Sequence, residues 1–259
     1  MNVMESLSLK GKVAVVTGGA GLYGRQITRA LLEAGAKTYT ASRNVENLKK
    51  FAAELEKEGL TLNCKYLDQG DEVSILNLRD EILGSEGKVD VLINNAVART
   101  MKGWDDDVST FEASMKVNVT GLYLVTRAFG DVMAKAGKGS IINIGSIQGM
   151  VGPDGTLYEG LDFHAFVPDY FFHKGGMINF TRFVASYYGP RNVRCNCVSP
   201  GGFFNNQPEV FVKRYSARTF LGRMANDEDL KGIIVFLASD ASLYITGTNI
   251  PVDGGYTAK

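Results

Sequence analysis

A tyrosine and a lysine stand one helical turn apart in the segment PDYFFHKGGMINFTRFVASYYG, at Tyr170 and Lys174. At i and i+4 they share one face of a helix. A free phenol titrates near pH ~10, too high for a base acting near neutrality. An ammonium group roughly 4–6 Å away favours the phenolate and would bring it into range. Such a pair would move a proton to or from the oxygen of an alcohol or ketone. With 11 tyrosines in the chain, one Y-x-x-x-K match carries little weight alone. Two further residues converge on it. Ser146 follows the run SIINIG, at what would be the carboxyl end of a strand, and Asn118 lies in the helical stretch MKVNVTGLYLVTRAF before it. Taken singly, the first is an ordinary loop hydroxyl and the second a capping or core-polar residue.

The stretch TGGAGLYGR, residues 17–25, fits two glycine motifs. Gly19, Gly21 and Gly24 match G-x-G-x-x-G. Thr17, Gly18 and Gly24 match T-G-x-x-x-G-x-G, with Leu22 where that variant wants glycine. The loop follows the strand-like VAVVT and opens the helical RQITRALLEAG, the context a dinucleotide site requires. Backbone amides at such a helix start can cradle a pyrophosphate. Gly18 or Gly19 would permit the tight turn, and Gly24 the close approach of helix to strand. The general fingerprint places an acidic residue about twenty positions later to hold the adenosine ribose. Here the second strand ends TASRN, with Ser42 and Arg43 and no carboxylate. Arg43 would pair with a 2′-phosphate, which favours NADP over NAD, with NAD as the alternative. The competing reading makes Arg43 a solvated residue at a loop mouth.

These residues need a scaffold, and the pattern supplies one. VAVVT (13–17), KTYTAS (37–42), LNCKYLD (62–68), VDVLIN (89–94), SIINIG (140–145), VRCNCVS (193–199) and TNIPVD (248–253) read as strands. RQITRALLEAG (25–35), VENLKKFAAELEKEG (45–59) and VSILNLRDEILGSEG (73–87) carry apolar residues at helical spacing. Gly35, Gly59 and Gly87 stand just past these runs, where left-handed caps are expected. Strand–helix alternation predicts an α/β domain, with parallel strands joined by right-handed crossovers and helices on both faces. No repeat or linker divides it, so one doubly wound domain is expected, its ligand at the carboxyl ends of the strands.

Bulk properties narrow the function. Lysine plus arginine equals aspartate plus glutamate at 28 each, so there is no basic excess of the kind nucleic-acid binding leaves. Apolar runs such as IIVFLA (233–238) are too short to span a bilayer, and MNVMESLSLKGK does not read as a signal peptide. Cys64, Cys195 and Cys197 are sparse and odd in number, which suits a reducing cytoplasm without disulfides. Cys195 and Cys197 would share one strand face, but only His164 and His173 offer other soft ligands. Buried thiols without metal are the expectation.

The ordered set of motifs resembles the short-chain dehydrogenase/reductase family from about residue 7 to 256. It runs SLKGKVAVVTGG (8–19), LDQGD around Asp68, INNA (93–96), KVNVTG around Asn118, Ser146, Tyr170-x-x-x-Lys174, NVRCNCVSPGG (192–202) and LGRMANDEDLKGIIVFLASDASLYITGTNIPVDGG (221–255). The resemblance implies a single Rossmann-like doubly wound sheet of about seven parallel strands. It implies an NAD(P)-dependent oxidoreductase interconverting a secondary alcohol and a ketone. It casts Tyr170 as acid/base, Lys174 as its tuner and ribose ligand, Ser146 as donor to the substrate oxygen, and Asn118 as holder of a relay water. It sets Asp68 at the adenine, Asn95 and Ala96 on the adenosine side, and Pro200–Gly201 at the nicotinamide. Tyr23, Gln69, Gly202 and Phe203 join the expected cofactor contacts with Gly18, Gly19, Gly21, Leu22, Gly24, Ser42 and Arg43. Leu22 and Val97, each where the family usually has glycine, are departures that bear on loop geometry.

Ser146 and Tyr170 are 24 positions apart, about twice the family's usual gap, so residues 150–166 form an insertion. It opens with turn chemistry at Pro153-Asp154-Gly155 and adds Tyr158, Glu159, Asp162, Phe163, His164 and Phe166. Emerging beside Ser146, it is expected to wall the substrate site, with a second, flexible wall at residues 203–220. Lys213 and Arg214 there would attract an anion or simply be solvated. Aromatics with polar groups suit a sugar, polyol or sugar acid. A flat steroid or a 3-oxoacyl chain is the alternative, and a catalytically silent nucleotide sensor a third reading. The resemblance also implies a homodimer or homotetramer packed through helices around 110–135 and 165–188.

Overall fold

The computed structural model describes residues 2–163 and 165–258; His164, named above with the insertion, lies outside them. Among these residues seven strands form one parallel sheet: β1 Val13–Thr17, β2 Lys37–Ser42, β3 Leu62–Tyr66, β4 Val91–Asn94, β5 Gly139–Ile144, β6 Val193–Pro200 and β7 Asn249–Val252. Their order is β3-β2-β1-β4-β5-β6-β7, every neighbouring pair parallel. The order reverses between β1 and β4, and such a switch point opens a crevice at the strands' carboxyl ends.

The helices are α1 Val3–Leu7, α2 Leu22–Glu33, α3 Val45–Glu56, α4 Glu72–Glu86, α5 Val108–Met115, α6 Leu122–Ala136, α7 Pro168–Tyr188, α8 Glu209–Ser216 and α9 Lys231–Ala238. The central strands are buried on both faces, as parallel sheets require. Val13, Val15, Leu92, Ile141, Val193 and Cys195 meet α4, α6 and α7 on one side. Ala14, Val16, Ile93, Ile142 and Val198 meet α2 and α9 on the other. The expected glycines all take positive φ: Gly35 at 94°, Gly59 at 79° and Gly87 at 70°.

Two local departures matter for the site. α2 begins at Leu22, three residues before the expected start, because Gly21 serves as its N-cap. The run through Asn118 is not a plain α-helix either: Lys116–Gly121 forms a π-helical turn between α5 and α6. Such turns loosen the i to i−4 ladder and free carbonyls. Gln69 donates to the Val117 carbonyl there at 2.9 Å. Gly121 allows that approach, since a Cβ on it would lie 2.2 Å from the Gln69 carbonyl oxygen.

Candidate active site

The glycine turn is built by close contacts. Gly18 takes φ 68°, and a Cβ on Gly24 would fall 2.4 Å from the Gly18 carbonyl oxygen. Gly18 therefore makes the turn and Gly24 the helix–strand approach. Gly21 keeps an ordinary φ of −74°, and a Cβ there would meet only the Gly18 carbonyl oxygen, at 3.4 Å. Leu22, the departure from the family pattern, starts α2 and is 53% exposed, so its side chain costs the turn no space. Asn95 pins the turn to the end of β4, its amide donating to the carbonyls of Thr17 at 3.0 Å and Gly18 at 2.9 Å.

From this turn a cleft of about 1150 Å³ runs across the strands' carboxyl ends. Gly18, Gly21, Leu22, Tyr23 and Gly24 line it at one end with Ser42, Arg43, Asp68, Gln69, Asn95 and Ala96. Ser146, Tyr170, Lys174, Pro200, Gly201, Gly202 and Phe203 line the other. Gly19 is not on its wall: its amide donates to Thr40 Oγ1 at 3.0 Å, and a Cβ would stand 2.2 Å from that oxygen. Asn118 also stands behind the wall, 3% exposed. Its amide donates to the Ala98 carbonyl at 2.7 Å and to Ser114 Oγ at 2.9 Å, while its Oδ1 accepts from the Ala98 amide at 2.8 Å. Both of its donors are thus spent inside the protein, leaving one oxygen lone pair.

Tyr170 and Lys174 share a face of α7, with the ammonium 5.6 Å from the ring centroid. Lys174 is 3% exposed and donates to the Ile144 carbonyl at 2.6 Å. Burial pushes its ammonium below the ordinary lysine range, opposed by Tyr170. An ammonium has three donors, so two remain for the cleft. Ser146 accepts from the Gln148 amide at 3.1 Å, which leaves its own O–H to be given away. Tyr23 reaches across to donate to the Gly201 carbonyl at 2.6 Å and packs edge-on against Phe203. Burial pushes the Tyr23 phenol up, so it stays a donor. Arg43 is exposed at the mouth and makes no ion pair among the described residues.

Residues 150–166 and the segment after β6 pack together beside the cleft. Residues 203–220 hold a folded helix, α8. Tyr158 packs on Phe211 at 5.3 Å and on Phe163 at 5.5 Å, and Tyr158, Phe211 and Tyr215 line the cleft. Asp154 caps a turn at Gly155–Leu157 and pairs with Arg218 at 2.7 Å. Arg214 donates to the Glu159 carbonyl at 2.6 Å, so it is tied to the insertion rather than turned to the cleft. Neither Lys213 nor Arg214 lines the cleft.

Sequence reasoning missed Arg99. Its guanidinium lies 4.8 Å over the face of the Tyr170 ring, inside the cleft. The available signal was its place just beyond the carboxyl end of β4, where side chains reach the crevice. It also missed Gln148, Gln207 and Met224 on the cleft wall. Cys195 and Cys197 are both fully buried on one face of β6, and burial pushes both thiols up. Among the described residues no three histidine, cysteine or acidic side chains converge on a metal position, and no helix is long and apolar enough to cross a membrane.

The fold and this cleft define a doubly wound nucleotide-type domain with a tyrosine–lysine–serine site. Residues 21–257 match the family model described as enoyl-(acyl carrier protein) reductase. A cyclopentanol dehydrogenase of Comamonas sp. is 33% identical over 96% of this chain and 98% of its own. A 7alpha-hydroxysteroid dehydrogenase of Bacteroides fragilis is 30% identical over 96% of this chain and 95% of its own. A gluconate 5-dehydrogenase of Burkholderia cenocepacia, solved with NADP and tartrate, superposes with TM-score 0.88 at 27% identity over the whole of both chains. The chain belongs to the short-chain dehydrogenase/reductase family, and it is an oxidoreductase acting on CH–OH groups.

Proposed function

We propose that the protein is an NADP-linked dehydrogenase/reductase of a polyhydroxylated small molecule, with Tyr170 as its acid/base. The observation that carries the reading is one cleft joining the glycine turn to Tyr170, Lys174 and Ser146. A nicotinamide cofactor, when bound, supplies the hydride acceptor or donor. The residues fit such a group: the Gly18–Gly24 turn leaves the start of α2 open to a pyrophosphate, and Lys174 keeps two donors for a ribose. Arg43, with no carboxylate beside it on β2, suits a 2′-phosphate. The NADP in the gluconate 5-dehydrogenase neighbour supports the same choice.

Tyr170 takes the proton from the substrate hydroxyl during oxidation and returns it during reduction. Ser146 donates to the same oxygen and holds it against Tyr170. Lys174 stabilises the ionised phenol by charge and orients the ribose. Asn118 holds the backbone at Ala98 in place. Tyr158, Phe211 and Tyr215 exclude water and stack on the substrate, with Gln148 and Gln207 as hydrogen-bonding partners for hydroxyls. The same aromatic wall favours the second reading, a flat hydroxysteroid, which the Bacteroides relative's name also suggests. Exposed Phe172, Phe183 and Tyr187 on α7, with Tyr123 on α6, suit a homodimer or homotetramer joined through these helices.

The test follows NADPH and NADH absorbance with polyols, sugar acids, hydroxysteroids and 3-oxoacyl thioesters. Turnover of polyhydroxylated compounds with NADP is expected. Steroid turnover alone would move the reading to its alternative. Tight cofactor binding with no turnover of any class would replace it with a nucleotide sensor.

A further inference from the structure

Among the described residues the catalytic half of the cleft is lined by positive charge and by no carboxylate. Two carboxylates line the cleft, Glu46 and Asp68, and both stand at the end marked by Ser42 and Arg43. Beside Tyr170 the charged side chains are Lys174 and Arg99. Lys174 is buried against the Ile144 carbonyl, so its charge is fixed in the wall. Arg99 is exposed to the cleft and forms no ion pair or hydrogen bond through its guanidinium among the described residues. It rests over the face of the Tyr170 ring, 4.8 Å from the centroid, with the edge of the guanidinium making no hydrogen bond among the described residues. A guanidinium edge presents paired N–H donors in the geometry of a carboxylate.

We infer that Arg99 is a specificity-determining residue that binds a carboxylate of the substrate, so that the preferred substrates are hydroxy acids rather than neutral polyols. This rests on the redox reading above and narrows it. A carboxylate forked onto Arg99 sits a few bonds from an oxygen held by Tyr170 and Ser146, which places the reacting carbinol within the same short chain. The aromatic wall of Tyr158 and Phe211 then faces the rest of the molecule.

The test pairs aldonic acids with the neutral polyols of the same carbon skeleton, on wild type, Arg99→Gln and Arg99→Lys. Turnover is followed with NADP, and aldonate binding is measured by calorimetry on protein loaded with NADPH. Wild type is expected to prefer aldonate in kcat/KM, and the aldonate-to-polyol ratio is expected to fall at least about tenfold in Arg99→Gln, mostly through KM. Arg99→Lys should recover part of it, since a point charge lacks the fork. An unchanged ratio, or no aldonate binding to the loaded wild type, overturns the inference while polyol turnover keeps the redox reading. Aldonate binding that Arg99→Gln abolishes, without turnover of any compound, upholds the anion site and overturns the redox reading.

Discussion

Asp169 accepts a hydrogen bond from Ser114, and both side chains are almost wholly buried. Ser114 in turn accepts from Asn118, so a single polar line joins the helix carrying Tyr170 to the π-helical turn. Cutting it at Ser114 strands two buried groups, the Asp169 carboxylate and one amide proton of Asn118. Ser114→Ala should lower unfolding free energy by about 1–3 kcal/mol, the cost of leaving a buried polar group unpaired. As a positioning residue, Ser114 should also lower kcat with little change in KM for the cofactor. A urea midpoint unchanged from wild type would refute the structural half, and a KM-only effect the positioning half.

Tyr170→Phe removes the proton donor and keeps the ring against Arg99 and His173. Turnover should fall by about 10²–10⁴-fold. Cofactor affinity, read by NADPH fluorescence titration, should hardly move. A variant with near-normal kcat would remove Tyr170 from the reaction.

His173 lies on the buried face of α7, 2% exposed, and neither ring nitrogen has a hydrogen-bond partner among the described residues. Burial, then the Lys174 and Arg99 cations, push its imidazole from 6.5 down to about 3. The folded value lies below the unfolded one, so the unfolded chain binds the extra proton. The neutral imidazole's stabilisation is complete above pH ~6.5 and is lost as pH falls toward ~3, at up to about 1.4 kcal/mol per unit. Between pH 6.5 and 5 wild type should therefore lose about 2 kcal/mol more stability than His173→Gln. Denaturant titrations at the two pH values check it, and parallel losses would sink it.

Arg43→Ala should raise the Kd for NADPH by about tenfold or more while leaving NADH nearly unchanged, because only the former carries the 2′-phosphate. Equal losses for both cofactors would mean that Arg43 reads no phosphate.

Gly24→Ala would drive a methyl group into the Gly18 carbonyl. The turn must shift, at about 1–3 kcal/mol, and with it the amides at the start of α2. Weaker cofactor binding together with a lower Tm is the expected result; unaltered values of both would show that α2 can move away freely.

The sheet was legible because short strand runs alternate with helical runs, three of which end at a glycine. Gly35, Gly59 and Gly87 marked those ends, and their positive φ agrees. The cleft residues were legible where chemistry demands a residue type at a fixed spacing, as at Tyr170 and Lys174. Arg99 was not, because it meets Tyr170 only where the loop after β4 folds against α7, and no spacing in the chain records that. The π-helical turn was also hidden, since the Gln69 side chain that binds its Val117 carbonyl comes from a distant loop. Asn118 was legible as a residue but not as a saturated one, since Ala98 and Ser114 come together in space to consume both amide protons.

Arg218 grips Asp154 and Thr156, and Arg214 grips the backbone at Glu159. Residues 154–163 and α8 are thereby stitched into one flap with a shared aromatic lining. Anyone transplanting specificity from a cousin enzyme must carry both stretches together as a cassette. Exchanging either alone would tear the seam and leave arginines and an aspartate with nothing to hold.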